Sequence, residues 1–179
     1  MKEKKLEIIL KAAELFHKSG YKGVGIKKIL DELNIPKGSF YYYFKSKDEL
    51  ALEIINIYIN DTKNIISSVE KSLDGILEFF NVLINRFYKM DLRGGCPVGN
   101  LIIELADEKE IFRLKLLEWF NILNEWIYII LQENNIKEPE KISKFLISYF
   151  EGTLMIAKLT KDSNILKEFL EILKEYLKK

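Results

Sequence analysis

The punctuation of this chain constrains its fold more than any other feature. Only nine glycines and three prolines interrupt 179 residues. The stretches between the main breaks carry apolar residues at helical spacing. Few breakers, with abundant Leu, Ile, Lys and Glu, predict long helices. A first helix is expected over 3–18, where Leu6, Ile9, Leu10, Ala13 and Phe16 follow the i, i+3, i+4 pattern of one buried face. Ser19-Gly20 ends it, with Gly at the C-terminal position. A short helix then carries Ile26, Ile29, Leu30 and Leu33. Asn34 permits a left-handed turn residue, and Pro36 suits the first turn of a second short helix over 36–43. Ser46 and Glu49 form a capping box that restarts the chain as a helix over 47–69. Further helices over 73–90, from Pro97, and over 108–133, 139–159 and 163–177 bring the total to about nine. No strand, repeat or low-complexity segment is read, so the fold class is all-α.

Residues 36–50, PKGSFYYYFKSKDEL, place three tyrosines beside a phenylalanine. A core does not readily satisfy three adjacent phenolic hydroxyls, and a surface seldom carries four adjacent aromatics without a use. Helical period divides the run. Phe40 and Phe44, four apart, share an inner face, while Tyr41 and Tyr42 point outward. Two short helices joined by a tight turn and packed on a longer one are a helix-turn-helix signal. Charge follows the same division. Residues 1–50 hold 11 Lys against 7 acidic residues, a net of +4, while the remainder nets −3. A basic head on a mildly acidic body suits a polyanion partner, although a charged stretch also reads as a solvated face.

The composition excludes several classes of chemistry. Cys96 is the only cysteine and His17 the only histidine. An internal disulfide, a Cys-rich zinc site, a His-based triad and a two-histidine metal helix are each short of ligands. No paired acid and base, metal or cofactor site is read, and an enzyme is not expected. The longest uncharged run, 94–103, is ten residues and contains Gly and Pro, too short and too broken to span a membrane. The N-terminal stretch carries Glu inside its apolar pattern, which suits an amphipathic helix and not a signal peptide. A cytoplasmic chain is expected.

Residues 20–50, GYKGVGIKKILDELNIPKGSFYYYFKSKDEL, resemble the TetR/AcrR family of repressors. Gly20-Tyr21, Ile29, Ile35, Gly38, Phe40, Tyr41, Phe44, Lys47 and Leu50 fall at the family's recurring positions. The resemblance implies a helix-turn-helix DNA-binding domain over 1–46, followed by a helical effector-binding and dimerisation domain over 47–179. It implies that Lys37, Gly38, Ser39, Tyr41 and Tyr42 face DNA, with Tyr43 and Lys47 clamping the backbone. Gly25 stands where Thr or Ser often caps the second helix and touches a phosphate; Lys27 or Lys28 would compensate. Leu30 and Leu33 replace common alanines, and Pro36 the usual Ser.

The resemblance also implies a homodimer on a palindromic double-stranded operator, released by a small-molecule effector of apolar or aromatic character. The dimer surface is expected at Phe145, Tyr149, Gly152, Thr153, Ile156, Phe169 and Leu173. Phe87, Tyr88, Asn100, Glu104, Trp119 and Trp126 are candidates to line an effector pocket, with plain core as the alternative for the aromatics. GGCPVGNLIIELAD resembles a helix start in one branch of the family, some of whose members respond to electrophiles. Cys96 is therefore either a sensing thiol or a small buried hydrophobe. Two alternatives stay open: a thiol-sensing repressor, and a helical module that binds nucleic acid without sequence preference.

Overall fold

A computed structural model describes residues 2–178. Among these there are nine α-helices and no strand. They are α1 (Lys2–Ser19), α2 (Ile26–Glu32), α3 (Lys37–Tyr43), α4 (Lys47–Ser68), α5 (Leu73–Lys89), α6 (Pro97–Leu105), α7 (Glu110–Glu133), α8 (Pro139–Thr160) and α9 (Asn164–Leu177). Pro36 precedes α3 instead of opening it. It holds φ −59° and ψ 140°, an extended ψ that keeps it outside the helix. Contacts group the chain into two compact units, Met1–Asn60 with Pro97–Leu117, and Asp61–Cys96 with Glu118–Lys179.

The first unit is built on α1. Its buried side chains are Ile8, Ile9, Ala12, Ala13, Leu15 and Phe16, whereas Leu6 and Leu10 are exposed. The buried face is thus rotated from the expected one. Nearly every second residue of α1 is apolar, so helical period alone admits more than one phase, and packing against α2 selects one. Phe40, Phe44, Leu50 and Ile54 complete the centre of this core. The Phe40 and Phe44 rings lie 5.4 Å apart.

The second unit packs α5, α8 and α9 around an aromatic cluster. Phe80 lies 4.8 Å from Phe150 and 5.3 Å from Phe169, and those two are 5.2 Å apart. α5 begins with Ser72, whose hydroxyl accepts from the Gly75 amide at 3.1 Å. A buried Trp119 indole donates to Thr62 at 2.9 Å, which satisfies the one polar atom of a large apolar side chain.

Between α5 and α6 the backbone turns through left-handed conformations at Asp91, Leu92, Gly94 and Gly95. Two lysines at the end of α8 hold this loop: Lys158, in its last turn, donates to the Gly94 carbonyl at 3.2 Å, and Lys161, the residue that caps it, donates to the Leu92 carbonyl at 3.0 Å. The loop ends at Cys96, whose thiol hydrogen-bonds Glu151. Burial raises the Glu151 carboxyl above its ordinary range, and the thiol offsets part of that rise. The unfolded chain therefore releases this proton first as pH rises. Wild-type stability falls from the ordinary carboxyl range up through the raised folded value. Glu151→Gln is expected to remove that fall and to raise the melting temperature near neutral pH. Thermal melts between about pH 4 and 7 would show it, and parallel curves for the two proteins would refute it.

Candidate nucleic-acid interface

The joint between α2 and α3 is specified by its own sequence. Asn34 adopts φ 52°. Its amide donates to the Asp31 carbonyl at 3.2 Å, and the Ile35 amide reaches back to the Leu30 carbonyl at 2.9 Å. This is a Schellman closure, with buried Ile35 and Leu30 as its apolar pair. Pro36 then forbids continuation, and α3 departs in a new direction.

α3 presents two distinct faces. Phe40 and Phe44 are 0% and 1% exposed, while Tyr41 and Tyr42 are 58% and 66% exposed. Lys37 and Gly38 at its start are exposed, and Ser39 is half-buried. Tyr43 is half-buried, its ring edge-on to Tyr42 at 5.0 Å. Tyr41 packs edge-on against Phe40 at 5.4 Å, which orients the outward phenol from the core side. A Cβ added to Gly38 meets nothing within 4 Å. The protein's own packing therefore does not require glycine there. Gly25, the residue before α2, is extended with φ −86°, and its Cβ position is also open. A serine hydroxyl fits there without strain, so the missing cap is a choice of sequence and not of geometry. Exposed Lys27 and Lys28 border the same concave surface as Gly23 and Gly25.

Lys47 is placed differently from the other cations. Its ammonium donates to the Tyr21 carbonyl at 2.6 Å and lies 4.0 Å from the Tyr21 ring centroid. Burial lowers its pKa, with Asp48 and Glu104 opposing that shift. Tyr21 is the hub of this region. Its hydroxyl donates to Asp48, which also pairs with Lys109. Its ring meets Phe16 and Phe112 edge-on at 5.2 and 6.1 Å. Burial and the Asp48 hydrogen bond raise the phenol well above its ordinary range. The Lys109 ammonium and the Tyr21 hydroxyl hold Asp48 below the usual carboxylate range. The sequence marked Tyr21 only as part of a glycine–aromatic helix stop, and Asp48 did not stand out at all. The Ser46–Glu49 cap forms as expected: the Glu49 amide donates to Ser46 Oγ at 3.1 Å. Glu49 itself accepts from the Lys45 amide at 2.7 Å, one residue before the cap.

The pocket candidates have individual places. Phe87 and Trp119 are buried, Trp126 packs on Phe79 at 5.2 Å, and the Tyr88 hydroxyl donates to the Ser163 carbonyl at 3.2 Å. These four lie in the second unit; Asn100 and Glu104 lie in the first. Glu104 accepts from the Tyr21 and Lys22 amides at 3.1 and 3.0 Å. Its carboxylate is thus spent on the backbone.

The expected dimer surface requires correction. Thr153, Phe169 and Leu173 are buried in the core of their own unit and leave no surface for a partner. The outward stripe of α8 is instead Phe145, Tyr149, Gly152, Met155, Ile156 and Leu159, continued on α9 by Ile172 and Tyr176. Met155 and Leu159 are 66% and 82% exposed. Their three-residue offsets from Gly152 and Ile156 were the available signal. Apolar residues on the opposite, core-facing side of α8 masked it.

Residues 8–54 match the family of bacterial regulatory proteins described as tetR. Residues 72–171 match the C-terminal domain described as transcriptional regulator LmrA/YxaF-like. The chain is 32% identical over 187 aligned positions to an HTH-type transcriptional regulator from the lacX 3′ region of Lactococcus lactis subsp. lactis, across all of this chain and 95% of that one. It is 25% identical to the HTH-type transcriptional repressor DhaR of Mycobacterium sp. strain GP1, across 95% of this chain and 90% of that one. The crystal structure of E. coli NemR in its reduced form shares the fold, with a TM-score of 0.84 at 22% identity over 97% of this chain and 96% of that one.

Proposed function

Because the chain belongs to the TetR family of bacterial regulatory proteins, we propose that it represses transcription as a homodimer bound to a palindromic operator. Members of this family are transcriptional regulators and not enzymes. The observation that carries the reading is the division of α3, with its phenylalanines inward and Tyr41, Tyr42 and Lys37 outward. A helix of this kind enters the major groove by its N-terminal residues, where Lys37 reaches guanine acceptors or a phosphate. Tyrosine packs on thymine methyls or sugars, and its hydroxyl bonds a phosphate. Lys27 and Lys28 add phosphate contacts in place of the hydroxyl that Gly25 lacks. Repression is favoured because DhaR is itself named a repressor.

A dimer over the α8–α9 stripe would set two α3 helices about one DNA turn apart, roughly 34–36 Å. A small apolar or aromatic effector bound in the helical body would release the operator by binding the mismatched state more tightly. We favour this over sensing through Cys96. The Cys96 thiol is already engaged by Glu151. No described helix is long and apolar enough to cross a membrane, and a cytoplasmic regulator is proposed. Selection of duplexes from a random pool, with non-specific competitor present, is expected to enrich a two-fold symmetric site. Equal affinity for all duplexes would overturn the reading in favour of a non-specific binder.

A further inference from the structure

We propose that Glu104 is a positioning residue of the DNA-binding surface: through Tyr21 it sets the place of the Lys47 ammonium. The inference rests on the operator-binding reading above.

The geometry begins at the end of α1. Gly20 takes φ +74°, and the amides of Tyr21 and Lys22 that follow are turned to the same side. Successive amides after a left-handed residue form a small anion-binding nest. A carboxylate 83 residues away in sequence fills it, one oxygen on each amide. A Cβ at Gly20 would stand 2.7 Å from Glu104 Oε1, so glycine serves both the turn and the close approach. Lys22 pairs in addition with Glu108, just beyond α6.

From Tyr21 the connection continues to α4. The Tyr21 carbonyl accepts from Lys47, and its ring lies beneath the same ammonium. Lys47 is the first residue of α4, immediately after the segment that follows α3. Glu104 therefore fixes one end of a residue whose other two polar groups hold the start of α4, through Lys47 and Asp48. A shift of α6 would carry Tyr21 with it. The Lys47 ammonium would then lose its carbonyl and its ring together.

The test is a double-mutant cycle on the full chain, read by fluorescence anisotropy with the selected duplex over a salt series. Lys47→Met is expected to weaken binding about 10-fold and to lower the salt slope by about one. Glu104→Gln, which keeps one acceptor and opposes the second amide, is expected to weaken binding at least about 5-fold and to lower the slope as well. The double variant is expected to be within about 3-fold of the weaker single variant, because both act on one ammonium. A double variant whose loss is the product of the single losses overturns the inference, as does Glu104→Gln binding like wild type. If circular dichroism shows Glu104→Gln unfolded, Glu104→Asp replaces it under the same criteria. A wild-type chain with no preference for the selected duplex overturns the operator reading itself, before any variant is compared.

Discussion

Gly38→Ala is expected to stabilise the protein and to cost it its operator. The position lies in the first turn of α3, and an added Cβ meets no atom of the chain within 4 Å. Replacing a helical glycine by alanine removes conformational freedom from the unfolded chain and adds about 0.5–1 kcal/mol of stability. The melting temperature should rise by roughly 2 °C for a chain of this length. The same methyl group stands at the end of α3 that would enter the groove. Overpacking a fitted surface costs about 1–3 kcal/mol, or roughly 5- to 150-fold in Kd. Calorimetry and anisotropy on one preparation would decide it. A stabilised variant with unchanged affinity would remove the N-terminus of α3 from the DNA interface. Because the two effects have opposite signs, simple misfolding cannot imitate the expected result.

Ile156→Asp is expected to convert a dimer into single chains with their helical content intact. Ile156 is 45% exposed in the isolated chain, so a charge there should shift the fold's stability by no more than about 0.5 kcal/mol. In a dimer formed over α8 and α9 the same carboxylate would be buried twice, once from each subunit, opposite apolar partners. Uncompensated burial of a charge costs several kcal/mol, and two-fold symmetry doubles it. Sedimentation should show the mass fall to that of one chain at micromolar concentration. Operator affinity should drop at least about 100-fold, since two half-sites would no longer be bound together. A dimer that survives the substitution would place the interface elsewhere. Phe169→Asp is no substitute for this test, because Phe169 is wholly buried in the chain's own core.

Local rules made much of this molecule legible. The left-handed turn at Asn34, the cap at Ser46 and the inward pair Phe40 and Phe44 each depend on residues at most five apart. Their physics is complete within one or two turns of chain, so spacing alone reveals them. The phase of α1 and the two faces of α8 were not legible in this way. Both helices are apolar on more than one side, and period does not say which stripe meets the core. Phe169 and Leu173 showed the same ambiguity: an apolar residue destined for its own core reads like one meant for a partner. Lys47 fitted the sequence pattern of a phosphate contact, yet its ammonium is engaged by Tyr21. No sequence rule places a carbonyl and a ring beneath it.

The sequence by itself determined an all-α chain, the break that turns α2 into α3, and an outward aromatic face beside a basic head. These are short-range consequences of period, caps and charge. Only the tertiary structure decided that Glu104 serves the backbone amides of Tyr21 and Lys22. It alone showed that Met155, Leu159, Ile172 and Tyr176 are left uncovered within the chain. The reason is separation along the chain. A carboxylate and an amide 83 residues apart have no pattern in common until folding brings α6 against the end of α1. An apolar side chain declares that it avoids water, but its neighbours in space decide what shields it.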